Sequence, residues 1–300
     1  MTIDHDQIFK RLIEAFFREF MELFCPAEAR LMDFSEVEVL REEHFTDVER
    51  GLRRRLDLVV KVGLKAGGDK FVLVHCEFEA SRKDRDFPRR MFKYFCQLFL
   101  RHDTEIVPIA VFTDDARWRT PVANHFELSL AAKTFVRFEY HLIKMRNLDY
   151  REFLDSNNPL AYGLMAKMGY NRKERVGLKA DFLRLILACP VDPARRNLLI
   201  EFVETYLPLA EHEQREFQKI VVGDQKYAEV KQMITAYEKR GIEKGIEKGK
   251  QEDLLLLLEK KFGKLSAVLR RKVRRIESTE KLDSLLLAVL EADSLEDLPF

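Results

Sequence analysis

Asp57, Glu77 and Glu79 are the residues of this chain whose types and spacing could do chemistry. Residues 53–62 and 71–80 each read as a strand, and the segment between them holds Ala66, Gly67, Gly68 and Asp69, a composition suited to a turn. A hairpin centred on Gly67 sets Asp57 opposite Glu77, with paired residue numbers summing to 134. One face then carries Leu56, Leu58, Val60 and Val62 beside Val72, Val74, Cys76, Phe78 and Ala80, and suits a core. The other carries Arg55, Asp57, Val59 and Lys61 beside Leu73, His75, Glu77 and Glu79. Directly opposed Cβ atoms lie ~4.5–5.5 Å apart, so Asp57 and Glu77 could hold one cation, with Arg55 opposite Glu79. Three carboxylates at this range repel one another unless a cation offsets them. Mg²⁺, or Mn²⁺ in its place, suits few carboxylates and retained waters, and it can activate a water for phosphodiester hydrolysis. The bland alternative is a pair of acids on the solvent face of an ordinary sheet.

The elements that must position these groups follow from periodicity. Apolar residues at helical spacing over 7–24, from Ile8 and Phe9 to Phe24, predict a first helix behind an Asp6 cap and ahead of Pro26. Residues 37–45 are ambiguous. A helix over 87–100 and a short apolar run over 106–112 imply a strand–helix–strand crossover, and 135–145 reads as a further strand. The expectation is an α/β domain over 1–150, a mixed sheet with helices against it. Residues 151–238 read as a helical extension broken by Pro190, Pro193 and Pro208. Residues 239–300 begin with Gly241, Gly245 and Gly249 at four-residue intervals, either a helix with a small-residue face or a flexible connector. Short helices over 253–262, 265–276 and 279–291 follow, punctuated by Gly263 and Ser278.

Several segments occur in an order that resembles one family. His5-Asp6-Gln7-Ile8-Phe9-Lys10 is similar to the opening His-Asp-x-x-Phe-Lys segment of the Rpn recombination-promoting nucleases and their transposase-like relatives in the PD-(D/E)XK superfamily. Arg54-Arg55-Leu56-Asp57-Leu58-Val59 resembles their aspartate-bearing strand, and Val74-His75-Cys76-Glu77-Phe78-Glu79 their strand ending Glu-x-Gln. Arg90-Met91-Phe92-Lys93-Tyr94 is similar to their Arg-Met-x-x-Tyr helix. The glycine repeat and closing helices resemble a domain of unknown function that often follows these nucleases.

The resemblance implies a PD-(D/E)XK restriction-endonuclease-like mixed sheet flanked by helices, with an all-α C-terminal extension. It implies a Mg²⁺- or Mn²⁺-dependent DNA endonuclease associated with recombination or transposition. Asp57 and Glu77 would be the metal ligands, Glu79 an auxiliary ligand or base, and Asp6, Arg90 and Tyr94 supporting residues. Glu79 departs from the pattern, because the superfamily has lysine there and this branch usually glutamine. That departure keeps an alternative open: a catalytically lapsed nuclease fold acting as a DNA- or protein-binding module.

Other residues carry two readings each. His75 could touch a metal-bound water or phosphate, or serve as a structural hydrogen-bonder. Arg90 and Tyr94 stand one turn apart and could face the cleft or pack helix on sheet. Arg54 and Arg55 could contact phosphates or stay solvated. Arg270, Arg271, Lys272, Arg274 and Arg275 are five basic residues in six, within a stretch (239–275) of 13 basic against 5 acidic residues. Residues 276–300 carry 7 acids and one lysine, so this tail competes with DNA for the basic run.

The whole chain is nearly neutral, with 52 Lys plus Arg against 51 Asp plus Glu, so only such local clusters argue for a nucleic-acid partner. Four scattered cysteines with no Cys-x-x-Cys pair suggest a reducing compartment, and no apolar run approaches a membrane span. The expected setting is the cytoplasm, with DNA as partner, no membrane, and a homodimer as an open option. Phosphate-binding glycine loops and the Gly-x-Ser-x-Gly elbow are absent, which removes the common ATPase, dehydrogenase and hydrolase classes.

Overall fold

The computed structural model describes residues 5–40, 44–47, 52–66, 70–80, 86–120 and 122–300, and the side chains of all of these except 5, 6, 44–47, 52–55, 237, 238 and 240–242. The apolar stripe of the N-terminal segment forms α1 (His5–Ala15) and α2 (Phe17–Phe24), with Pro26 opening the short α3 (Pro26–Ala29). The single helix expected over 7–24 is broken at Phe16, whose φ of −124° and ψ of 35° leave the helical region. Its stripe survives the break: Phe9, Leu12, Ile13, Phe16, Phe20 and Met21 are all buried. Asp6 lies within α1, not ahead of it as a cap, and its side chain is outside the description.

Next come β1 (Met32–Val39), β2 (His44–Asp47), β3 (Leu52–Arg55), β4 (Leu58–Leu64) and β5 (Phe71–Glu79). The strand expected over 53–62 is cut at Leu56–Asp57. Its first part, β3, pairs with β2 in a separate two-stranded ribbon, and its second part, β4, pairs antiparallel with β5. The β4–β5 register runs from Leu58 opposite Cys76 to Gly63 opposite Phe71, every pair summing to 134 as expected for a turn about Gly67. β1 flanks β4 with a bulge between Asp33 and Val37. Gly63 lies beneath that bulge, where a Cβ would come within 2.6 Å of Glu36 Oε2 and push that side chain aside.

α4 (Phe87–His102) crosses over to β6 (Ile106–Phe112), which joins β5 in parallel. β7 (His125–Leu130) and β8 (Lys133–Glu139) form a second ribbon, while β9 (His141–Lys144) adds in parallel to β6. The one strand expected over 135–145 therefore divides at Tyr140, which is anchored by hydrogen bonds to the Ala123 and Asn124 carbonyls. The main sheet has the order β1-β4-β5-β6-β9, a mixed five-stranded sheet.

Both faces of β5 are covered. On one side Phe78 meets Phe9 of α1, with ring centroids 6.1 Å apart. On the other, Val59 and Leu73 pack with Tyr94 and Leu98 of α4. Leu56 joins this second cluster and not the Leu58 face, because the bend at Asp57 resets the alternation. The face expected to be charged and open is thus a second core layer with acids at one end.

α5 (Pro159–Leu164), α6 (Arg175–Ala188), α7 (Pro193–Tyr206) and α8 (Glu211–Gly223) belong to the same compact unit as the sheet, residues 1–227. Phe9 packs against both Phe202 and Tyr206 of α7, so this extension shares the sheet's core. The second unit, residues 228–300, holds α9 (Ala228–Phe262), α10 (Ala267–Val273) and α11 (Thr279–Glu291). Leu254, Leu258, Leu265, Val273, Leu282, Leu285 and Val289 form its core. Gly263 adopts φ +81° to end α9, and the Ser266 and Ser278 side chains accept the backbone N–H groups of Leu269 and Lys281 to start the last two helices. Among the described residues no helix is long and apolar enough to cross a membrane.

Candidate active site

Asp57 sits at the bend just before β4 begins, yet it stays tied to β5 by side chains. Its Oδ2 accepts the Phe78 N–H at 2.8 Å, and its own N–H donates to Glu77 Oε1 at 3.2 Å. The Asp57 carboxylate thereby continues the antiparallel ladder after the backbone has left it. The two acids are locked at the register position that apolar alternation predicts.

Glu77 is 6% exposed and His75 wholly buried. His75 Nε2 lies 2.9 Å from the same Glu77 Oε1 that accepts from Asp57 N–H. A carboxylate oxygen accepts hydrogen bonds, which assigns the ring proton to Nε2, so His75 donates to Glu77. Its Nδ1 is buried and finds no hydrogen-bond partner among the described residues. The Tyr94 ring closes over His75 edge-on, with centroids 5.8 Å apart at 83°. His75 and Tyr94 are thus both buried, His75 against the Glu77 carboxylate and Tyr94 against the His75 ring.

Glu79 diverges from its two neighbours. Its Oε2 accepts from an Arg90 Nη at 2.8 Å, and the Arg90 guanidinium stacks over Phe87 at 4.9 Å. The backbone of Arg55, the expected partner, pairs with His44 in the β2–β3 ribbon, and its side chain lies outside the described residues. No cluster of three acidic ligand atoms forms from Asp57, Glu77 and Glu79 among the described residues. The side chains of Asp6, Arg54 and Arg55 lie outside the description.

Glu79, Phe112 and Lys144 are successive partners across β5, β6 and β9, at the carboxyl ends of three parallel strands, where open α/β sheets commonly bind ligands. Here stand ionic groups that spacing alone did not reveal. Lys144, 5% exposed, lies 2.6 Å from Asp114 Oδ2, and Lys167 donates to Asp115 Oδ1 at 2.6 Å. Burial pulls the Lys144 ammonium below its ordinary pKa against the opposing pull of Asp114. Burial would raise the Asp115 carboxyl, but the Lys167 hydrogen bond and charge hold it below its usual value. The available signal was Thr113-Asp114-Asp115, an acidic pair directly after the apolar β6 run.

In the second unit the basic run keeps its charge exposed. Arg270 pairs with Glu259, whereas Arg271, Lys272, Arg274 and Arg275 are exposed and form no ion pair among the described residues. Of the acidic C-terminal stretch, Asp283 pairs with Lys250 of α9 and not with the run.

No protein-family model matches this chain, and neither the curated proteins nor the solved structures contain a match.

Proposed function

We propose that the protein is a divalent-metal-dependent DNA endonuclease of the PD-(D/E)XK type, acting in recombination or transposition. The observation that carries this reading is the locked Asp57–Glu77 pair: two carboxylates braced by Phe78 N–H, Asp57 N–H and His75 at the end of a mixed sheet. Two carboxylate donors suit Mg²⁺ or Mn²⁺, which bind through few protein oxygens and keep their waters. Such an ion supplies an activated water and offsets charge on the phosphoryl oxygens. The chain's part is orientation: His75 points Glu77, and Phe78 N–H points Asp57. Arg271, Lys272, Arg274 and Arg275 would hold backbone phosphates.

One observation favours a second reading. Glu79 is engaged by Arg90, so the third acid of the motif is drawn away from the pair. A nuclease fold that has lost cleavage and serves as a binding module would look the same in this respect.

Nicking of supercoiled plasmid with Mg²⁺ or Mn²⁺, silenced by EDTA, separates the two. Asp57→Asn and Glu77→Gln are the variants to use, because the amide oxygen can still accept the Phe78, Asp57 or His75 hydrogen. Each should lower single-turnover cleavage at least a hundredfold while remaining folded. Cleavage that persists in EDTA, or in either variant at the native rate, refutes the nuclease reading.

A further inference from the structure

We infer that Cys25, Glu28 and His141 form a second metal site, one for a borderline-soft transition ion of the zinc class. Cys25 lies at the α2–α3 junction, Glu28 three residues on in α3, and His141 begins β9, so two distant chain segments bring three different donor types together. One donor atom from each, the Cys25 Sγ, a Glu28 oxygen and a His141 ring nitrogen, lies within 4.8 Å of the other two. His141 Nε2 and Glu28 Oε1 are already 3.0 Å apart. Tetrahedral zinc holds its donors roughly 3.3–3.7 Å from one another, given bonds of ~2.0–2.3 Å, so the cluster needs only a small adjustment around an ion.

The donor set chooses the metal. Thiolate and imidazole favour zinc or cobalt over Mg²⁺, which prefers oxygen alone. A thiolate and a carboxylate also neutralise a divalent ion, a balance that suits a site with a buried floor. Cys25 is that floor, at 1% exposure, while the side chains of His141 and Glu28 are 40% and 31% exposed. An ion can enter from their side, and a water can complete the fourth position. On binding, the Cys25 thiol releases its proton to solvent, and the neutral His141 ring offers the ion a lone pair while its one N–H sits on the other ring nitrogen. No electron transfer is involved. The site would clamp the α2–α3 corner to an edge strand of the sheet, and an ion that binds only the folded state stabilises it by mass action.

The test uses the full chain, freed of metal, titrated with Zn²⁺ and separately with Co²⁺. The expected result is one ion bound per chain, a melting temperature that rises with zinc, and a near-ultraviolet thiolate-to-cobalt charge-transfer band. Cys25→Ser should lose the band, and His141→Gln and Glu28→Gln should each weaken zinc binding at least tenfold. The latter two lie at the surface, so they decide the matter even if Cys25→Ser fails to fold. An absent band in the wild type, a band retained in Cys25→Ser, or unaltered zinc affinity in both surface variants overturns the proposal. Plasmid nicking is not a readout here, which keeps this test separate from that of the Asp57–Glu77 site.

Discussion

At the scale of residues, the decisive fact is that the three acids of the hairpin do different things. The Glu77 carboxylate accepts the Asp57 N–H and the Asp57 carboxylate accepts the Phe78 N–H, while Glu79, two residues on from Glu77 along the same strand face, pairs with Arg90. The Arg90–Glu79 pair is 19% exposed on both sides, close enough to solvent to be screened. Glu79→Gln should therefore cost about 1 kcal/mol or less in chemical denaturation, since the amide can still accept from the guanidinium. It should change single-turnover cleavage by less than threefold. A tenfold loss would place Glu79 among the metal-organising groups, and a gain of cleavage from an inert wild type would mark the chain as a lapsed nuclease. His75 shows the same lesson: a histidine facing the acids in sequence is, in space, sealed beneath Tyr94.

At the scale of elements, α9 is the segment whose local preference and structure pull apart. It runs unbroken from Ala228 to Phe262 although Gly245 and Gly249 lie in its interior. Glycine weakens a helix because its unfolded chain has more freedom to lose. Among the described residues a Cβ at either position would meet nothing within 4 Å, so steric need there does not explain these glycines. Gly245→Ala and Gly249→Ala should each stabilise residues 228–300 by about 0.5–1 kcal/mol and raise helical circular dichroism. A loss of stability would mean that something packs on the glycine face in solution, with a second copy of the chain the first candidate. The caps that start α10 and α11 show the opposite situation, local signals and structure in agreement.

At the scale of the whole molecule, charge is divided and not balanced residue by residue. The near-zero net charge conceals four exposed cations on and after α10 that the neighbouring acids leave unpaired among the described residues. If they bind DNA phosphates, replacing Arg271, Lys272, Arg274 and Arg275 together with alanine should flatten the salt dependence of DNA binding. The slope of log K against log salt should fall by up to ~3.6, from about 0.9 per lost phosphate contact. Fluorescence anisotropy across a salt series measures this, and an unchanged slope would remove the run from the DNA interface. The substitutions are on the surface, so the melting temperature should barely move.

What the sequence by itself determined is what depends on near neighbours along the chain. Alternating apolar residues about a glycine turn sufficed for the β4–β5 register, because a slip of one residue would turn every side chain over. A continuous apolar run marked β6 from Ile106 to Phe112, and serine caps marked α11. The placement of Asp57 across from Glu77 was legible for the same reason. Only the tertiary structure decided the rest. The bend at Asp57 removes β3 from the main sheet, and Tyr140 divides one apparent strand between two sheets, since each break depends on partners elsewhere in the chain. Arg90 claimed Glu79 from the next helix, because helix–sheet packing set the distance between them. Cys25 and Glu28 met His141 from 113 or more residues away, and no local pattern encodes a contact that the fold alone creates.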